Sequence, residues 1–313
     1  MGTKIDYVDE SWNPFQDVHK GKSGRGYHCT KVSPGCDNCW AERFNNRFGN
    51  KIPFDDAPAK LELVEKELTR PQRWTRKRRR VLFQAMGDIF HGGVDWLDID
   101  KVLLICALCP EHHFFLLTKR SNPAWYYLVN RPTGEYLKRK YRVMREVSKF
   151  KIKELPLEME WPLPNLWLGI TAEDQERFNE RWNILKQIPA AGYFISHEPA
   201  LGPIEYPDDF LSLGIRALVI TGGEAGPGSR PMHPDWVRRD RAQCVLPGVH
   251  FFFKQWGDWS PCVPDKKTIS YDFDHPYHNF RVYRVGKKKA GRLLGGREWN
   301  ELPVMPPLPD CPF

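Results

Sequence analysis

Reactive side chains are most concentrated where three thiols fall close together. Cys29, Cys36 and Cys39 stand at C-x6-C-x2-C spacing in Cys29-Thr30-Lys31-Val32-Ser33-Pro34-Gly35-Cys36-Asp37-Asn38-Cys39. Pro34 and Gly35 bend the chain before the tight Cys36/Cys39 pair, so the three sulfurs can converge. No further cysteine follows until Cys106. A closed structural zinc site takes four protein ligands, and an electron-transfer [4Fe–4S] cluster normally takes four thiolates. Three thiols therefore leave three readings open. A cubane held by three would keep one iron free for a substrate or cofactor. A zinc ion could be completed by His28 or by a distant His or Cys. Otherwise these are ordinary reduced cysteines of a loop.

The elements that must position this stretch show a recurrent pattern. Short apolar, β-branched or aromatic runs at 81–85, 114–117, 166–170, 193–196, 217–221 and 250–253 alternate with longer amphipathic stretches. Such runs predict a parallel sheet covered by helices on its outer face. Each run ends in a polar or glycine-rich tip: Met86-Gly87-Asp88, Thr118-Lys119-Arg120, Thr171-Ala172-Glu173-Asp174, His197-Glu198-Pro199, Gly222-Gly223-Glu224 and Lys254-Gln255-Trp256. Chemistry at the ends of many strands fits a (β/α) barrel or partial barrel, whereas a Rossmann sheet concentrates it at one switch point. The expectation is an α/β fold with a barrel over 1–256, the cysteine loop at 29–39, a basic helical insertion at about 121–164, and a basic, proline-rich C-terminal appendage at 257–313. A helix is expected from Trp40 onward, and another over 136–151.

Composition narrows the function classes. With 313 residues, 41% hydrophobic and 13% aromatic, the chain can bury a sizeable core. No run approaches the roughly 20 apolar residues of a membrane span. The N-terminus lacks an apolar signal region, and eight cysteines without a disulfide framework read as intracellular thiols. A cytoplasmic protein without membrane partners is expected. The net charge of +8 tilts the partner towards a polyanion. The run Arg76-Lys77-Arg78-Arg79-Arg80 is read as a solvated or acid-paired face ahead of a strand. Cys106 and Cys109 are read as core residues; His112 and His113, ahead of a strand, are read as ordinary, and His91, after Asp88-Ile89-Phe90, as nearer the supposed site. Trp256 and Trp259 could stack on a base or close the barrel end.

The cysteine cluster following the Trp12-Asn13-Pro14 turn resembles a poorly characterised family of phages and bacteria. So do Leu117-Thr118-Lys119-Arg120, His197-Glu198-Pro199, Gly222-Gly223-Glu224 with Gly226-Pro227-Gly228-Ser229-Arg230-Pro231-Met232, and Phe253-Lys254-Gln255-Trp256-Gly257. That family in turn is similar to the radical SAM superfamily, most of whose members use C-x3-C-x2-C. The resemblance implies a partial TIM-type barrel with the loop after its first strand. Cys29, Cys36 and Cys39 would hold a [4Fe–4S] cluster, and S-adenosylmethionine would chelate the open iron. Met86, Gly87 and Asp88 stand where the superfamily has a Gly-Gly-Glu-type motif, with Asp88 receiving the cationic amine. Gly222, Gly223 and Glu224 would approach the adenosine. Glu173, His197 and Glu198 would contact the cofactor or substrate, and Lys119, His197 and Glu198 are the catalytic candidates.

The implied activity is reductive cleavage of S-adenosylmethionine to a 5′-deoxyadenosyl radical, fed by an external donor of flavodoxin or ferredoxin type. Isomerase, lyase and transferase outcomes all remain open. Charge, aromatics and the phage association point to a nucleic acid base or nucleotide-like group as substrate. Phage DNA hypermodification, such as rearrangement of an amino-acid-modified thymine in the host cytoplasm, is the specific expectation. The alternatives are a zinc-containing nucleic-acid-binding protein without catalysis, and a cluster-bearing partner subunit that activates another enzyme.

Overall fold

A computed structural model describes residues 3, 5–17, 26–55, 60–74, 77–131, 133–147, 158–264, 267–274 and 280–305. The chain opens with β1 (Glu10–Trp12) and β2 (Phe15–Asp17), then α1 (Trp40–Phe48), β3 (Leu61–Leu63) and α2 (Glu65–Leu68). Strand and helix then alternate: β4 (Arg80–Phe83), α3 (Trp96–Ala107), β5 (His113–Thr118), α4 (Ser121–Trp125), α5 (Thr133–Val147), β6 (Leu166–Thr171), α6 (Gln175–Leu185), β7 (Gly192–His197), α7 (Asp208–Leu211), β8 (Ala217–Gly222), α8 (Pro234–Val245) and β9 (His250–Gln255). Last come β10 (Trp259–Ser260), β11 (Ser270–Phe273), β12 (Phe280–Arg284) and α9 (Lys287–Ala290).

Seven strands form one parallel sheet in the order β1-β4-β5-β6-β7-β8-β9, curled into a half barrel. All six expected runs are strands of this sheet. β1 was not anticipated, because Glu10-Ser11-Trp12 has no apolar run and pairs along one side only, with β4. Strand alternation divides the core in two. Phe114, Leu116, Leu168, Ile170, Ile195, Val219 and Phe251 face the helical layer with Ile99, Leu103, Phe178, Trp182 and Val237. Leu82, Phe115, Trp167, Phe194, Leu218, Ile220 and Phe252 fill the concave side together with Tyr7 and Val8. Tyr7 reaches the β9 side of the sheet, its ring 6.0 Å from that of Phe252.

The segment expected as an insertion supplies α4 and α5, which lie between β5 and β6 and pack on α6 and α3 respectively. Leu137 and Tyr141 of α5 are buried in the outer core, so this part of the helix belongs to the covering layer. The remainder of the expected helix, from 148 to 151, lies outside the described residues. After β9, β10-β12-β11 form a small antiparallel sheet, and the chain returns to the half barrel: Phe253 N–H donates to Trp299 O and Glu301 N–H to Phe251 O. Those bonds occupy the free edge of β9. Cys106 and Cys109 are buried in the outer core, as expected. In the basic run, Arg79 pairs with Glu10 at 3.2 Å; Arg76 lies outside the described residues. Among the described residues, no helix is long and apolar enough to cross a membrane.

Candidate functional site

The tips of β4 to β9 open on one cavity of about 580 Å³ at the C-terminal edge of the sheet, where a parallel (β/α) fold places its chemistry. Cys29, Cys36 and Cys39 all line it. Their loop is folded by a 3-10 turn at Pro34–Cys36, with Cys36 N–H donating to Ser33 O at 2.8 Å. Cys39 is the N-cap of α1, so the third thiol is set by the start of that helix.

Side chains from three strand tips grip the loop. From β5, Arg120 donates through Nη2 to Thr30 O (2.9 Å) and Oγ1 (2.8 Å), while Nη1 lies 3.6 Å from Cys29 Sγ. Beyond β6, the fully buried Glu173 accepts from Ser33 Oγ (2.6 Å), Lys119 Nζ (2.8 Å) and Arg181 Nη1 (3.0 Å). Lys119 Nζ in turn donates to Cys36 Sγ at 3.4 Å. Gly35 sits directly against this carboxylate: a Cβ there would fall 2.3 Å from Glu173 Oε1, so no larger residue fits without moving it. Beyond β8, Glu224 accepts from Asn38 Nδ2 (2.9 Å), Arg230 N (2.7 Å) and the Arg230 guanidinium (2.7 Å). Arg230 also donates to Pro34 O at 2.8 Å.

These contacts set the electrostatics of the thiols. Burial pushes Cys29 up to about 11, against the opposing pull of Arg120. Burial also raises Cys39. Cys36 is buried too, yet the Lys119 ammonium and hydrogen bonds at Val32 and Ser33 outweigh that penalty and lower it. Burial opposes ionisation of Glu173, but Lys119, Arg181 and Ser33 together bring it down to about 2. The cavity edge therefore carries two cations, Lys119 and Arg120, each within hydrogen-bonding range of a different cysteine sulfur. His91 stands behind the loop, pushed down to about 4 by burial and by Arg120 and His28. Its Nδ1 accepts from Gly93 N–H, leaving Nε2–H to donate to Thr30 Oγ1 at 3.3 Å.

The cavity brings together most of the residues singled out in the sequence. Gly87, Asp88, Lys119, Glu198, Gly223 and Glu224 line it with the three cysteines. Asp88 is already occupied: its oxygens accept from Phe90 N, Thr118 Oγ1, Lys119 N and Arg120 Nη1, all between 2.9 and 3.1 Å. A ligand ammonium would have to exchange with one of these donors. Met86 packs with Ala41 and Phe54 beside Cys29 and Cys39. Glu173 acts from behind the loop. Gly222 does not line the cavity, and Gly223 lies against Trp256 O, 2.1 Å from where its Cβ would be, so close backbone packing already requires a glycine there. Glu198 is ion-paired to Lys254 at 2.6 Å.

His197 sits on the other side of the sheet. Ser196 and Glu198 line the cavity, and alternation turns the residue between them towards the helices. There His197 Nδ1 meets Asp240 Oδ2 at 2.7 Å and Nε2 meets Gly202 O at 2.9 Å. His28 packs its ring against Phe54 and His91, with centroids 5.7 Å away in each case, and does not line the cavity. Sequence reasoning missed Ser33, Asn38, Arg181 and Arg230. Ser33 and Asn38 lie inside the cysteine loop and Arg230 in the Gly226–Met232 stretch, but their types alone did not announce that they bond Glu173 and Glu224. Among the described residues, no three His, Cys, Asp or Glu side chains are placed to hold a single metal ion.

A family model described as "Protein of unknown function (DUF5131)" matches residues 2–303, and the chain belongs to that family. No curated protein and no solved structure matches it.

Proposed function

We propose that this member of the family is a radical SAM enzyme acting on a nucleic acid base or nucleotide-like group. One observation carries the reading: three thiols at C-x6-C-x2-C spacing open together on the cavity at the C-terminal edge of a parallel half barrel. The donor set fits a [4Fe–4S] cluster. A cubane distributes its thiolates over three irons, so Cys29, Cys36 and Cys39 need to face one space rather than one point. When bound, such a cluster supplies the reductive cleavage of S-adenosylmethionine to methionine and a 5′-deoxyadenosyl radical.

The chain's own residues would then do the positioning. Lys119 and Arg120 donate to the sulfurs of Cys36 and Cys29 and offset the negative charge that three thiolates bring into a half-buried site. Glu173 holds Lys119 and, through Ser33, the bend of the loop. Glu224 and Arg230 hold its far side. The Glu198–Lys254 pair offers both signs of charge for the amino acid part of S-adenosylmethionine or for a polar substrate. Tyr7 and Leu82 of the concave core line the cavity and give it an apolar wall.

The test is anaerobic reconstitution of the full chain with iron and sulfide, followed by dithionite and S-adenosylmethionine. Visible cluster absorbance and formation of 5′-deoxyadenosine support the reading. A colourless protein that retains one zinc per chain replaces it with a structural metal site, and a loaded protein that cleaves S-adenosylmethionine only when a second protein is added makes it a partner subunit.

A further inference from the structure

The cavity leaves unexplained a row of aromatic rings beside its mouth. On α1, Trp40, Phe44 and Phe48 recur every fourth residue and so share one face of the helix. They are 49, 45 and 65% exposed, whereas the buried residues of the same helix are Ala41 and Asn45. An amphipathic surface helix ordinarily turns its rings inward; this one turns them to water. Trp40 and Phe44 also line the cavity, which makes the stripe continuous with it. The Phe44 and Phe48 rings lie 5.0 Å from each other, and the Arg47 guanidinium stands 4.9 Å over Phe48. Elsewhere on the rim, Lys287, Lys288 and Lys289 of α9 are all exposed, and Lys287 lines the cavity. The acidic groups near the loop are paired, Asp37 with Arg230 at 3.2 Å and Asp55 with Lys31 at 2.9 Å.

Flat exposed rings and free-standing ammonium groups around one cavity match single-stranded nucleic acid, which needs faces to stack its bases and cations for its phosphates. Ring geometry favours a single strand over a duplex. The Phe44 and Phe48 rings stand 5.0 Å apart and are tilted by 50° to each other, unlike the parallel bases of a duplex strand at roughly 3.4 Å. The rings therefore suit a strand whose bases have come apart. We propose that Trp40, Phe44 and Phe48, together with Lys287, Lys288 and Lys289, dock a single-stranded segment and stack the bases beside the one that enters the cavity. This rests on the nucleic acid reading above and adds how the strand is held.

Fluorescence anisotropy of a labelled oligonucleotide with the full chain tests it. The expected result is tighter binding of the single strand than of the duplex of the same sequence. Phe44→Ala and Phe48→Ala should each weaken binding about fivefold to a hundredfold, the range for loss of one base–ring stack. Replacing all three lysines by Ala should flatten the slope of log affinity against log salt by about 2. These rings are exposed, so the variants should melt like the parent by circular dichroism. Ring variants that bind normally overturn the proposal. So does heparin, a polyanion without bases, if it binds as tightly as the oligonucleotide and loses as much affinity in the ring variants. A surface whose ring variants lose only an acidic flavodoxin-type donor also overturns it. The two levels of the reading fail separately. If loaded wild-type protein modifies a base while the ring variants bind normally, the surface falls and the function stands. If no oligonucleotide binds, the surface and the polymeric nucleic acid substrate fall together, and S-adenosylmethionine cleavage is still read on its own.

Discussion

At the ends of β4, β5 and β6, Asp88, Arg120, Lys119 and Glu173 gather on the concave side against the cysteine loop. At the ends of β7 and β8, His197 and Thr221 gather on the helical side around Asp240 of α8, with Tyr206 as a third donor at 3.2 Å. Both groups are buried and hydrogen-bonded, and in sequence both looked like strand-tip chemistry. They differ in parity. Lys119 and Glu173 continue the inward register of Phe115, Leu117 and Trp167, while His197 continues the outward register of Tyr193 and Ile195. Within a strand, a polar residue therefore meets the cavity or braces the sheet according to which face its own strand's alternation gives it, whereas just past a strand end the neighbours Lys119 and Arg120 both reach the cavity. The chemical type alone does not decide.

The comparison breaks most sharply at the thiols. Cys36→Ala should abolish both cluster absorbance and 5′-deoxyadenosine formation, whereas Cys106→Ala, in the outer core, should keep both. Next comes Asp240→Ala, which leaves His197, Tyr206 and Thr221 without their shared acceptor in a buried setting. A loss of about 1–3 kcal/mol for each buried donor left unsatisfied is expected, read as a lower urea midpoint, while the cavity groups stay in place. An equal loss of cluster assembly at matched stability would show that the two groups are not separate.

The cavity-side group has a pH signature. Glu173 is depressed to about 2 from an ordinary 4.5. Its contribution is therefore fully present above pH 4.5 and lost as the pH falls towards 2, and amounts to about 3 kcal/mol. In Glu173→Gln that acid-side dependence should disappear, so the stability gap between parent and variant should close between these two pH values. A constant gap would assign the loss to packing against Gly35 and Ser33. The smallest effect is expected from Arg230→Ala, since that guanidinium is about a third exposed. Global stability should change by about 1 kcal/mol or less, but limited proteolysis within the loop 29–39 should speed up.

Much of the scaffold was legible because it is encoded locally. Apolar runs such as Phe114-Phe115-Leu116-Leu117 announce a strand buried on both faces, and all six that were read are there. β1 was missed because a three-residue strand carries no pattern. The segment from 121 onward looked like an insertion because its helical stretch is strongly basic and Pro156, Pro162 and Pro164 close it, whereas the apolar face of α5 that buries Leu137 and Tyr141 is sparse. In the site, the cysteines, Lys119, Glu198 and Glu224 were legible from their types and places. Asn38, Arg181 and Arg230 were not, because what matters about each is a partner.

The sequence by itself determined the strands, the polar character of their tips and the clustering of three thiols, since these depend on neighbours within a few residues. Only the tertiary structure decided which tips meet. Glu173 finds Ser33 across 140 positions and Glu224 finds Asn38 across 186. Such pairings are chosen by which donors a curled sheet brings within about 3 Å of a carboxylate that has left water, where leaving it unpaired would cost several kcal/mol. That selection acts on the folded surface, and no local pattern carries it.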